Sequence, residues 1–129
     1  MALVNQVQKR VKMPKWEIVK FQILTHCYIN KIAMSESDFD CLTLLSFNQP
    51  IELTHFCYDA STDEEWIFKS PQTVRNSINK AEKNGLVVKD QKNKKIISLN
   101  PDLKIQVDGN ILLDYKFLAH DSQETSTSS

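Results

Sequence analysis

The sequence has 129 residues, a formal net charge of zero and 41% hydrophobic content, which fits one globular domain able to bury its own core and argues against disorder as the default. No run of about 18 apolar residues occurs and the N-terminus lacks a basic-then-apolar leader pattern, so neither membrane insertion nor secretion is expected and the cytoplasm is the expected location. Cys27, Cys41 and Cys57 are odd in number and far apart, so they read as small core residues rather than as a disulfide framework, a zinc site or redox sensors.

The zero balance conceals a segregation of sign along the chain. Residues 1–34 carry six Lys/Arg against Glu17 alone, and residues 35–68 carry eight Asp/Glu and no Lys/Arg. Residues 69–104 carry nine Lys/Arg against Glu82, Asp90 and Asp102, a net of +6, and the remainder has four acids against Lys116. A uniformly solvated surface scatters its signs, so the third segment looks like an electrostatic footprint for phosphate.

Taken in order, residues 1–15 (MALVNQVQKRVKMPK) are basic and stop around Pro14, which suggests an extended arm or an edge strand that reaches along nucleic acid or a partner subunit. Residues 16–34 carry two patterns at once. Val19, Phe21, Ile23, Thr25, Cys27 and Ile29 alternate as a strand would, while Ile18, Phe21, Leu24/Thr25, Tyr28 and Ile32 fit a helical stripe. Ser35-Glu36-Ser37-Asp38 is a helix start with two candidate caps and acids in the first turn. Phe39, Leu42, Leu45 and Ser46/Phe47 continue the buried stripe of this helix until Asn48-Gln49-Pro50 stops it. Asp38 and Asp40, two apart on different sides of a helix, take capping or solvent roles rather than forming a metal pair.

Ile51–Tyr58 then resembles the short second helix of a helix-turn-helix motif, with Leu53, Phe56 and Cys57 inward and Thr54 a phosphate-contact candidate among acidic neighbours. Asp59–Lys69 (DASTDEEWIFK) reads as a long acidic link, in which Trp66 and Phe68 are anchors to the core or, in a second reading, a partner-binding patch.

Ser70–Asn100 carries the densest local information. Ser70 is an N-cap, Pro71 sits at the first helical position where its missing donor costs nothing, and Asn84-Gly85 supplies a left-handed stop. Val74, Ile78 and Ala81 give one narrow buried stripe. At about 100° per residue, Gln72, Asn76, Asn79, Lys80 and Lys83 point the other way, with Thr73 and Arg75 at the flanks. Amides and cations, rather than Glu with Lys, are the groups that meet base edges and phosphates. Leu86-Val87-Val88 and Ile96-Ile97-Ser98-Leu99 flank Gln91-Lys92-Asn93-Lys94-Lys95 and predict a hairpin with a basic tip.

From Ser35 to Asn100 this order of cap, Pro, Thr-Val, apolar spacing, Asn-Gly-Leu-Val and basic hairpin resembles the recognition helix and wing of MarR-like winged helix-turn-helix proteins. The resemblance implies a mainly α fold with a small β-sheet (α+β). Its helix 71–84 would lie in the major groove of double-stranded DNA, and its basic wing 86–99 on the backbone or in the minor groove. It favours the helical reading of 16–34, as a long first helix that often builds a homodimer. The residues expected on DNA are Gln72, Thr73, Arg75, Asn76, Asn79, Lys80 and Lys83 of the helix and Lys92, Lys94 and Lys95 of the wing. The long link at 59–69 departs from the family, where only a few residues join these helices, and Asp63, Glu64 and Glu65 would repel DNA beside the reading helix.

Beyond the core, Leu103, Ile105 and Val107 alternate toward the Asp108-Gly109-Asn110 turn. Ile111–Leu118 follows as a strand paired back on that segment or as a terminal helix, with the strand favoured for its first residues. Residues 101–120 are thus a C-terminal extension packed on the core, and 121–129 a polar tail. Two glycines exclude a phosphate-cradling loop, and His26, His55 and His120 lack ligand-spaced companions, so no enzyme activity, metal or cofactor is expected. The expected function is DNA binding by a transcriptional regulator or a replication-associated factor, and the richness in Lys, Asn and Ile fits a phage or a low-GC bacterium. The rival is a structural or adaptor protein, such as a phage particle component, that uses the same fold for protein contact.

Overall fold

The computed structural model describes residues 13–62 and 68–108. Helix α1 spans Lys15–Ile29 and follows Pro14, whose own carbonyl accepts from Ile18 N at 3.2 Å. Its end is a left-handed stop without glycine: Lys31 has φ 57°, and Ile32 N donates back to Cys27 O at 2.8 Å. The helical alternative for this stretch is the one observed, yet its buried face is Val19, Gln22, Ile23 and Cys27. Of the stripe expected from spacing, Leu24, Phe21 and Tyr28 lie outward, exposed at 40%, 45% and 81%, while Ile18, Thr25 and Ile32 are half-buried. Apolar residues occur all around this helix, so period alone does not choose a side. What admits Gln22 to the inner face is a backbone partner 84 residues away: its amide donates to Gln106 O at 2.8 Å and accepts from Gln106 N at 2.9 Å.

Helix α2, Glu36–Ser46, starts on a reciprocal capping box in which Ser35 Oγ accepts from Asp38 N and the Asp38 carboxylate accepts from Ser35 N. Leu42 and Leu45 are buried and Phe39 half-buried, while Phe47 lies past the helix end with its ring stacked on Trp16, centroids 6.1 Å apart. Lys20 of α1 is held between Asp40, at 2.8 Å, and Glu36. Burial lowers its pKa, but these two carboxylates outweigh that and raise it.

Two corrections follow in the next segment. Ile51 and Glu52, expected in a helix, form strand β1 (Ile51–Glu52), and helix α3 (Leu53–Thr62) runs four residues past Tyr58. The strand exists through its pairing with β3 (Ile96–Leu99), with Ile51 opposite Ile97 and Glu52 opposite Ile96. The extra turn of α3 buries Ala60, and the hydroxyls of Ser61 and Thr62 bond back to the carbonyls of Tyr58 and Asp59. The linker before the next helix is shortened accordingly. Its acids Asp63, Glu64 and Glu65, together with Trp66, lie outside the described residues.

Helix α4 is Pro71–Lys83, and strand β2 is Val87–Lys89. Gly85, at φ 77°, lets the chain reverse, with Leu86 N bonded to Ala81 O at 2.9 Å and Gly85 N to Glu82 O at 3.0 Å. The sheet order is β1-β3-β2, antiparallel throughout. Mainly helical with a small antiparallel sheet, the described part is an α+β arrangement. Its core joins Val19 and Ile23 of α1, Leu42 and Leu45 of α2, Phe56 of α3, Val74 and Ile78 of α4, and Ile97 of β3. Cys27, Cys41 and Cys57 are free and buried, and burial raises each thiol's pKa, which keeps them protonated.

After a 3₁₀ turn at Pro101–Leu103, the alternation of Leu103, Ile105 and Val107 is present as half-buried side chains packed on the core. This segment runs along α1 through the Gln22–Gln106 bonds and an ion pair of Lys15 with Asp108 at 2.5 Å. The expected turn at 108–110 beyond Asp108, the 111–118 segment, the polar tail and the basic arm before Met13 lie outside the described residues.

Candidate nucleic-acid interface

Local chemistry positions the outward face of α4. Ser70 Oγ accepts from Thr73 N at 3.2 Å, Pro71 occupies the first turn, and no acid lies there. Val74, Ser77, Ile78 and Ala81 are buried, so Gln72, Thr73, Asn76, Asn79, Lys80 and Lys83 are exposed and Arg75 is half-buried. At about 100° per residue, Gln72, Asn76, Asn79 and Lys83 share one outer line, while Arg75 and Lys80 stand on opposite flanks. Gln72 Nε2 donates to Asn76 Oδ1 at 2.8 Å.

Both flanking cations are tied to other helices. Arg75 Nη2 donates to Thr54 Oγ1 of α3 at 3.1 Å, which brings Thr54 beside α4. Lys80 Nζ donates to Asp38 Oδ2 at 2.9 Å, and Ser77 Oγ to Asp38 Oδ1 at 2.6 Å. Lys80, expected on phosphate, therefore shares its charge with a carboxylate. Sequence reasoning gave Asp38 its capping role but missed Ser77 and the bonds from Ser77 and Lys80 to the Asp38 carboxylate. The available signal was a hydroxyl at position 77, on the inner side of α4 between Val74 and Ile78, which needs a buried partner.

Burial alone would raise the Asp38 pKa, but hydrogen bonds from Ser77, Ser35 and Lys80 outweigh it and hold the carboxyl below its ordinary range. A depressed acid stabilises the fold fully above its unfolded pKa of about 3.9, and that contribution is lost as pH falls through the folded value. Asp38→Ala is expected to cost about 1–3 kcal/mol at neutral pH by leaving Ser77 and the α2 start without their acceptor. Urea unfolding of both proteins from pH 7 down to pH 2 should show the difference shrinking only below about pH 3.9; a constant difference would rule out the ionised carboxylate as its source.

The β2–β3 hairpin carries a loop organised by its own side chains. The Asp90 carboxylate accepts from Lys92 N at 3.0 Å and Asn93 N at 2.9 Å, and Asn93 Oδ1 accepts from Lys95 N at 3.1 Å. Lys92, Lys94 and Lys95 are left exposed at the tip, whereas Lys89 lies 3.6 Å from Glu82. Phe68 is 3% exposed within the core, so the ring anchors the link and offers no surface to a partner. Among the described residues no group of His, Cys, Asp and Glu is placed to hold a metal ion, and no helix is long and apolar enough to cross a membrane.

No family model matches this sequence, and no curated protein or solved structure matches it either.

Proposed function

We propose that the chain is a DNA-binding protein of winged helix-turn-helix type, a transcriptional regulator or a replication-associated factor, with α4 in the major groove and the β2–β3 hairpin on the backbone. The observation that carries this reading is the outer line of α4, where Gln72, Asn76, Asn79 and Lys83 stand exposed without a carboxylate among them. An α-helix about 10–12 Å across with its side chains fits a major groove about 12 Å wide. The order of helix, strand, two helices and hairpin, with the first strand paired to the last, supports the same reading.

Asn76→Ala tests it. The variant is expected to lose about 1–3 kcal/mol of discrimination at one base pair, because an asparagine amide offers adenine a donor and an acceptor together. The measurement is selection on random duplexes followed by titration of the best site. If wild type enriches no motif, sequence reading is wrong.

A structural or adaptor role, as in a phage particle, is the second reading, and a homodimer is compatible with either reading. The adaptor role and the homodimer are both favoured by Tyr28 at 81% and Ile29 at 61% exposure on α1, and by Tyr58 at 62% on α3, apolar bodies that a protein partner would cover. These tyrosines, rather than the buried Phe68, are the first positions to mutate for that reading.

A further inference from the structure

The Gln72–Asn76 bond divides labour between two amides that the sequence offers as equivalent base readers. A primary amide has two N–H donors and a carbonyl with two lone pairs. The bond at 2.8 Å takes one lone pair of Asn76 Oδ1 and one hydrogen of Gln72 Nε2. It thereby fixes which end of the Asn76 amide faces the first turn of α4. The bond leaves one Oδ1 lone pair and the Nδ2 hydrogens of the exposed Asn76 unused, and an amide acceptor with a donor beside it is the pattern complementary to adenine N6 and N7.

We infer that Gln72 is a positioning residue, which orients the Asn76 amide so that the pair reads a single adenine-containing base pair as one unit. This rests on the DNA-binding reading above. An unbuttressed asparagine on an exposed helix face rotates freely and must be ordered on docking, whereas the bonded one starts closer to its reading geometry. The cost avoided is that of immobilising one side chain, so the preference for adenine at that base pair should fall on the order of 3- to 10-fold when the bond is removed.

The test is selection on random duplexes with wild type, Gln72→Met, Asn76→Ala and the double variant, followed by titration of the best site and of its adenine-to-guanine change at each position. Methionine keeps the length of the side chain and removes the amide, and urea unfolding of each variant checks that α4 is intact. The expected result is that Gln72→Met weakens preference at the same base pair as Asn76→Ala, and that the double variant is no worse than Asn76→Ala alone, a non-additivity that independent readers would not give. Losses at different base pairs that simply add would overturn the pairing while leaving DNA reading intact, and so would an unchanged profile for Gln72→Met. Failure of wild type to enrich any motif would remove both.

Discussion

Ile78→Ala is expected to lower the unfolding free energy by about 2–5 kcal/mol. Ile78 is 1% exposed and shares one apolar cluster with Val74, Leu42 and Leu45. Collapse around the missing carbons is resisted from several sides, because α4 packs on both α2 and α3, and α2 is held to α4 by the Asp38 network as well. A domain of this size has roughly 5–15 kcal/mol in all, so the variant should lose a large share of it. Urea unfolding measures the effect, with Asn79→Ala on the exposed line of the same helix as the control expected within about 0.5 kcal/mol of wild type. A near-neutral Ile78→Ala would mean that α4 presents a different face to the core.

Replacing Lys92, Lys94 and Lys95 together by alanine should weaken binding on every duplex alike. If each lysine meets a phosphate, the slope of log affinity against log salt flattens by about 0.9 per lost contact, or about 2.7 for the three. The loop conformation should survive, since Asp90 and Asn93 bind its backbone amides and the lysine ammonium groups take no part. Titrations between 50 and 200 mM salt on a selected and an arbitrary duplex are the measurement. An unchanged slope takes the hairpin out of the interface, and a loss confined to the selected duplex makes it a base reader instead.

The parts of the fold legible in the sequence were those whose causes lie within a few residues. Ser70, Pro71 and Gly85 write both ends of α4, and the spacing of Val74, Ile78 and Ala81 sets its buried side. Strand β1 was not legible, because Ile51 and Glu52 are strand only through partners at 96 and 97, more than 40 residues on. The inner face of α1 was not legible for a related reason: Gln22 is acceptable there only because the backbone at Gln106 satisfies it. In the candidate site, periodicity marks the exposed residues of α4 correctly. It is blind to the pairing of Lys80 with Asp38, 42 positions apart, and so overcounts the charge available to phosphate.

The flanking ties of α4 also bear on how firmly its outer face is held. Arg75 reaches α3 on one side and Lys80 reaches α2 on the other, like two stays on a mast. A helix held only by an apolar stripe can roll a few degrees about its own axis, since greasy contacts are non-directional. Polar ties on both flanks resist roll in either sense. If the protein reads DNA as proposed, the outer amides would keep one azimuth as it slides along a duplex, and each step would test the same edge of the next base pair without first turning the helix to meet it.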